Sequence, residues 1–333
     1  MEKTRTEVES AELSERAKNL MTTFNLKYPI FQAAPGGEAL AAAVAAEGAM
    51  GALPLTWITP EEAFQQVARL IAMTKGNFYG NYALHFEPAT FDKALEAGLP
   101  IVQFSWGIPT NEMISKIRAA KAKFGIQVSS KANAKAALDT NPDFLICQGI
   151  EAGGHIQASE PLLFSLQEIV DEAKQVPVLA AGGITTGHDI RKALETGAAG
   201  VVLGSRLIAT RESEIHDEFK NALVEAGKDS TVLTTCFSDG WFAQHRVLKN
   251  KTFLNWQAAG CPLAGNRPGE NDIIATKPDG SKVKRYAFLS PRKGTQGSIR
   301  EFALYAGEGV EKIKDIPTVA DLLRRLWKEY QNK

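Results

Sequence analysis

From Tyr28 onward, short β-prone runs alternate with helical segments, and this alternation constrains the fold more than any other feature of the chain. Runs at 29–34, 51–55, 78–83, 101–106, 124–129, 144–148, 178–181 and 200–203 read as strands. Segments at 38–47, 60–74, 89–97, 110–121, 133–139, 165–174, 187–196 and 211–226 read as the intervening and final helices. Thr59-Pro60-Glu61-Glu62 offers an N-cap with Pro in the first turn. Gly98 and Gly197 stand where helices should stop. Pro177-Val-Leu-Ala-Ala181 and Gly200-Val-Val-Leu203 are continuously apolar, as strands buried on both faces must be. Eight β-then-α units in series require a parallel sheet, and eight strands close a barrel. An open doubly wound sheet would be expected to carry GxGxxG after its first strand, whereas the first turn here is Ala34-Pro35-Gly36-Gly37. The expected fold is therefore an α/β TIM (β/α)8 barrel.

The rhythm breaks after Ala226. Residues 227–297 collect turn formers, among them Cys261-Pro262, Asn266-Arg267-Pro268-Gly269 and Lys277-Pro278-Asp279-Gly280. The segment reads as a small, loop-rich covering lobe inserted after the eighth βα unit. Helical pattern resumes at 299–305 and 318–330 and returns the chain to the barrel. The expected division is a barrel from 1–226 and 298–333, with the lobe at 227–297.

Composition narrows the function classes. Lys and Arg number 38 and Asp and Glu 38, a balance that argues against a nucleic-acid partner while leaving room for a local anion site. Cys147, Cys236 and Cys261 form no CxxC pair, which fits a reducing, cytoplasmic setting and speaks against a zinc site. The opening residues 1–10 are too polar for a signal peptide, and the most apolar stretch, 39–55, is too short to span a bilayer, so no membrane is expected. A homo-oligomer is compatible with all of this.

In such a barrel the chemistry gathers at the carboxyl ends of the strands. Three glycine-bearing turns fall there: Gln148-Gly-Ile-Glu-Ala-Gly-Gly-His155, Ala181-Gly182-Gly183-Ile184 and Leu203-Gly204-Ser205-Arg206. Turns after the last two strands commonly hold a phosphate, because Gly lets backbone N–H groups approach its oxygens and Ser205 adds a hydroxyl. The same glycines would also serve tight βα turns alone; their occurrence on adjacent strands favours the phosphate. His155 alone among the five histidines directly follows Gly-Gly at a strand end, where a neutral imidazole could take a proton from a carbon acid. His85, near the third strand's end, is ambiguous; His188, His216 and His245 read as structural or exposed. Glu151 and Asp143 fall at opposite ends of the barrel and cannot act as paired carboxylates. No HExxH, His/Cys cluster or GxSxG is present, so neither a metal site nor a serine hydrolase is expected.

These turns, with Pro29-Ile-Phe-Gln-Ala-Ala-Pro-Gly-Gly37 and Tyr305-Ala-Gly-Glu-Gly-Val310, resemble the nitronate monooxygenase family, formerly called 2-nitropropane dioxygenases, in that family's order and from about residue 28 to 326. The resemblance implies an FMN-dependent barrel enzyme that uses dioxygen to oxidise alkyl nitronates, or neutral nitroalkanes, to a carbonyl compound and nitrite. It implies that His155 is the catalytic base. Gly182, Gly183, Gly204 and Ser205 would hold the FMN phosphate. Ala34, Pro35 and Gly36 would lie along the isoalloxazine, with Gln148, Gly153, Gly154 and Asn81 also near the flavin. Tyr305 would wall the substrate cavity, or pack in the core.

Two departures bear on substrate preference. The family's first motif usually reads Gln-Ala-Pro-Met, but here Gln32-Ala33-Ala34-Pro35 carries no Met. Beyond His155, where the family often has a Gly, the chain reads Ile156-Gln157-Ala158. The Gly-Gly-His signature is shared with flavin-dependent enoyl-acyl-carrier-protein reductases and NADH:quinone reductases, so an NAD(P)H-dependent reductase of a quinone or enoyl thioester is the competing expectation.

Overall fold

A computed structural model describes residues 12–74 and 76–332; the polar opening segment 1–10 lies outside the described residues. Strands β1 (Ile30–Gln32), β2 (Gly51–Pro54), β3 (Phe78–Ala83), β4 (Ile101–Ser105), β5 (Lys123–Val128), β6 (Phe144–Gln148), β7 (Gly154–His155), β8 (Val178–Ala181) and β9 (Gly200–Leu203) follow one another through the first part of the chain. All but β7 join one parallel sheet in the order β1-β9-β8-β6-β5-β4-β3-β2. A parallel bridge between Phe31 and Met50 joins its two ends and closes the barrel. The expected TIM barrel is thus the fold observed.

The seam between β1 and β2 is the barrel's thinnest pairing. The run expected to continue to Ala34 leaves the sheet after Gln32, and the buried Gln32 side chain takes over. Its amide Nε2 donates to the Ala52 carbonyl and its Oε1 accepts the Ala52 N–H, each at 3.3 Å, copying the ladder that the backbone no longer makes.

Period-two alternation sorts the strand residues into two layers. Phe31, Ala52, Tyr79, Ile101, Phe144, Ile146, Leu179 and Val202 fill the interior. Ile30, Leu53, Phe78, Val102, Leu145, Val178 and Val201 pack outward under the helices. Gly125 is required by this packing, since a Cβ there would lie 2.3 Å from the Phe144 ring. The helix Glu15–Thr23, which the sequence reading did not anticipate, inserts Leu20 and Phe24 into the interior cluster. Towards the carboxyl ends the inward positions turn polar, and Asn81, Gln103, Gln127 and Gln148 line a cavity.

Local signals act as their chemistry dictates. The Thr59 hydroxyl accepts the Glu62 N–H at 3.2 Å while the Glu62 carboxylate accepts the Thr59 N–H at 2.8 Å, a reciprocal cap. Gly98 and Gly197 terminate their helices at φ of +90° and +104°.

The eighth outer helix departs from expectation. After β9 only a short helix, Ser205–Ile208, follows, and residues 211–216 form none. The helix Asp217–Glu225 packs Phe219 and Leu223 against Ile274, Val283, Ile299 and Phe302, so it belongs with the lobe's apolar cluster and not with the barrel. The helix Val319–Gln331 joins the barrel's outer layer instead, burying Val319, Leu322, Leu323, Leu326 and Tyr330. It lies so close to the helix Gly187–Glu195 that a Cβ on Gly187 would sit 2.4 Å from the Glu329 Cβ. The lobe's packing unit consequently begins before residue 227 and runs past 298, because an amphipathic helix joins whichever apolar surface the chain brings to it.

The lobe holds β10 (Thr231–Thr234), β11 (His245–Leu248), β12 (Ile273–Thr276), β13 (Lys282–Lys284), β14 (Gln296–Gly297) and the helix Lys251–Ala258. Its two sheets run β10-β11-β7 and β13-β12-β14, and β7 is lent to the first by the loop after β6. No helix among the described residues is long and apolar enough to cross a membrane.

Candidate active site

His155 is held by the lobe. It stands on β7, antiparallel to β11 and directly opposite His245. The loop leading to it is pinned from several sides. Glu151 accepts the Leu162 N–H at the start of the helix Leu162–Ala173, and Arg246 donates to the Ile150 carbonyl at 2.9 Å while pairing with Glu308 at 2.8 Å. Gly153 permits a backbone-to-backbone approach: a Cβ there would lie 2.6 Å from the backbone of Ala306 and Gly307. Gln148 donates from Nε2 to the His155 carbonyl at 3.2 Å and accepts the Gln157 N–H at 2.8 Å. Asp143 lies at the other end, accepting the Phe124 N–H and pairing with Arg118, which keeps it apart from Glu151.

The His155 ring is enclosed by aromatic groups. Trp241 stacks on it with centroids 3.8 Å apart, and Tyr305, His245 and Phe288 stand at 5.4, 5.3 and 6.1 Å. Burial, with a smaller contribution from His245, pushes the His155 pKa down to about 3, so the imidazole is neutral at physiological pH. Its Nε2 is buried without a hydrogen-bond partner. A buried polar atom left unpaired costs free energy, and a bound molecule supplying a partner would recover it.

The cavity beside this ring measures about 760 Å³, within the range of cofactor and ligand sites. Ala34, Pro35, Gly36, Asn81, Gln148, Gly153, Gly154, His155, Gly182, Gly183, Gly204, Ser205 and Tyr305, all singled out from the sequence, lie on its wall. At the glycine-turn end, Gly182 and Gly183 adopt φ of +143° and +65°. Gly204 has room beside it, its nearest neighbour to an added Cβ being Ala33 at 3.6 Å. The Ser205 hydroxyl accepts the Gly307 N–H at 3.0 Å and keeps its own proton to donate. These features suit a phosphate met by backbone N–H groups and a hydroxyl.

Tyr305 lines the cavity with its ring, but its hydroxyl donates to the Phe288 carbonyl at 2.6 Å. Arg206, the last residue of its glycine turn, is buried away from the cavity against Asp315 and the Ala209 carbonyl. His245 is fully buried; its Nε2 accepts the Phe237 N–H while Nδ1 bonds the Ala243 carbonyl. His216 caps the helix Asp217–Glu225 rather than lying within it, accepting the Glu218 N–H. His85 stacks on Trp241 at 5.8 Å. Among the described residues no three His, Cys, Asp or Glu side chains gather as a metal site.

The sequence reading missed the aromatic part of the wall: Trp57, Trp106, Trp241 and Phe288. Trp106 follows β4 directly and Trp57 lies three residues beyond β2, positions that could have marked them. Trp241 and Phe288 belong to the lobe and carry no local signal. Gln103 and Gln127 also escaped notice, although both occupy inward positions, in the middle of β4 and near the carboxyl end of β5.

Comparison with known proteins agrees with this architecture. A family model described as nitronate monooxygenase matches residues 81–329. A probable nitronate monooxygenase of Bacillus subtilis is 25% identical over 93% of this chain and 98% of its own. The nitroalkane oxidase of Streptomyces ansochromogenes superposes with a TM-score of 0.75, at 25% identity, covering 93% of this chain and 97% of that one. FabK from Thermotoga maritima shares the fold, with a TM-score of 0.75 at 22% identity over 96% of both chains. With a barrel, a glycine-turned cavity and a neutral histidine on its wall, the chain belongs to the nitronate monooxygenase family of flavin-dependent oxidoreductases.

Proposed function

We propose that the chain binds FMN in the cavity beside His155 and oxidises alkyl nitronates, and the neutral nitroalkanes from which they derive, with dioxygen to a carbonyl compound and nitrite. The observation that carries this reading is the unpartnered, neutral His155 on the wall of a cavity whose other end presents two glycine turns. In this reading Gly182, Gly183, Gly204 and Ser205 hold the phosphate. Ala34, Pro35 and Gly36 flank the isoalloxazine, and Asn81, Gln148, Gly153 and Gly154 surround it with carboxamide and backbone groups.

FMN held by these residues would supply the redox chemistry that couples nitronate oxidation to dioxygen. The protein's own work is positional. His155 accepts the proton of a neutral nitroalkane's α-carbon at Nε2, or orients a nitronate that has already lost it. Burial holds the imidazole neutral with a free lone pair, and it weakens that imidazole as a base until the negative charge of the nitronate formed beside it stabilises the protonated ring. Phe288 and Tyr305, at 6.1 and 5.4 Å, keep water from the ring and so strengthen every polar contact made there. Small-molecule substrate and dioxygen are the partners this reading requires.

The test is to mix the purified yellow protein anaerobically with a nitronate, and separately with NADH or NADPH, and to follow flavin absorbance. Reduction by nitronate and not by nicotinamide is the expected result. Rapid bleaching by NADH alone overturns it in favour of an NAD(P)H-dependent reductase of a quinone or enoyl thioester.

A further inference from the structure

The roof over His155 is a seam of aromatic rings between lobe and barrel. Trp57, Phe86 and Trp106 rise from the turns after β2, β3 and β4, whereas Trp241 and Phe288 descend from the lobe. Trp241 is the centre of the seam: its ring lies 4.9 Å from Trp106, 5.2 Å from Phe86, 6.0 Å from Trp57 and 6.3 Å from Phe288. The same indole lies flat on His155, tilted by only 19°. It is carried by the loop between β10 and β11, where Trp241 is 5% exposed and the adjacent Phe242 is 73% exposed. Under this cover the His155 Nε2 is buried and unpaired, while the residue as a whole stays partly exposed on the cavity wall.

We propose that Trp241 is a lid over His155 and the specificity-determining residue of the site, displaced when a substrate's own carbon skeleton takes over its contacts with the seam. The proposal rests on the nitronate reading of the site and names its substrate class: nitronates bearing an aryl or branched alkyl group, in preference to those the size of nitroethane. The reason is surface. An indole buries on the order of 150–250 Å², and moving it off the seam uncovers the rings it touches. A substrate with a ring restores most of that burial, and one with two carbons restores little. Ring-on-ring contact also favours a flat apolar group over a charged or heavily hydrated one.

Two measurements on the flavin-loaded enzyme test the proposal. The first needs no turnover: diethyl pyrocarbonate acylates accessible neutral imidazoles, and peptide mass mapping reports the rate at His155 alone. Trp241→Ala is expected to raise that rate about tenfold or more, because the opening step no longer limits access. Trp241→Phe keeps an aromatic face and is expected to stay protected, which separates loss of the lid from a general loosening of the fold. Equal rates in wild type and Trp241→Ala, or a rate in Trp241→Phe as high as in Trp241→Ala, overturn the lid. The second measurement is the ratio of kcat/KM for the nitronate of phenylnitromethane to that for ethyl nitronate. Wild type is expected to favour the aryl substrate, and Trp241→Ala to lower the ratio about tenfold; an unchanged ratio overturns the specificity role. If wild type oxidises neither nitronate, the nitronate reading itself fails, and the acylation rates still decide whether Trp241 covers His155.

Discussion

His155 and His245 face each other in register across β7 and β11, their ring centroids 5.3 Å apart, so that the site histidine and a lobe histidine share one buried neighbourhood. Both are held neutral there. Burial first, and His245 second, pushes His155 down to about 3, while burial pushes His245 down to about 4 against the raising effect of its hydrogen bond to Ala243.

Acid should therefore unfold the lobe contact first. Between these depressed values and the ordinary 6.5 the unfolded chain binds protons that the folded chain refuses, so stability is complete above about 6.5 and falls as pH is lowered. Each such proton contributes up to about 1.4 kcal/mol per pH unit. Urea denaturation at pH 7 and pH 5 is expected to show the loss, and His245→Gln to make it shallower. A pH-independent midpoint over that interval would contradict the buried-neutral assignment.

Replacing His155 with Ala removes the proposed proton acceptor and leaves the glycine turns intact. The variant is expected to retain its flavin and to oxidise neutral nitroethane about 10²–10⁴-fold more slowly. Turnover of the neutral substrate at the wild-type rate would show that another group is the base.

Gly204→Ala tests the phosphate end without disturbing the fold. Its Cβ would have 3.6 Å to its nearest neighbour, on a glycine that lines the cavity where the proposed phosphate would sit. Thermal stability of the flavin-free protein should be unchanged. FMN affinity should drop about tenfold, equivalent to about 1.4 kcal/mol. Unaltered affinity would place the phosphate elsewhere.

Gly153→Ala should act through packing. The added Cβ would press to 2.6 Å from the Ala306 and Gly307 backbone, and neither segment can yield by rotating a side chain. A loss of about 1–3 kcal/mol is expected in denaturant titrations, with faster limited proteolysis of the lobe than of the barrel. Wild-type stability and proteolysis would show that the two backbones have room to separate.

Gln32→Leu removes the amide that completes the seam between β1 and β2. The Ala52 N–H and C=O lose partners they cannot replace in a buried position, at a cost of about 1–3 kcal/mol. Urea midpoints measure it; a variant as stable as wild type would show that the Phe31–Met50 bridge alone closes the barrel.

Much of the barrel was legible because parallel strands under helices must be apolar on both faces, and stretches such as Val178–Ala181 and Gly200–Leu203 show this without help from any partner. Where apolarity outlasts pairing it misleads. Ala33 and Ala34 look like more of β1 but leave it, because the chain must turn there to form the cavity wall. The segment 217–225 has an outer helix's periodicity but packs on the lobe, since a hydrophobic stripe specifies that it be covered and not by what.

The sequence by itself determined the barrel and the glycine turns at its carboxyl end, and it placed His155 directly after Gly-Gly at one of them, because strand periodicity, turn chemistry and motif spacing are local properties of the chain. Only the tertiary structure decided what surrounds that histidine. Its register against His245, the orphaned Nε2 and the indole of Trp241 lying on its ring arise when the lobe folds back over the barrel. Burial and contact between residues distant in the chain depend on that docking, and they set both the protonation state of His155 and what can reach it.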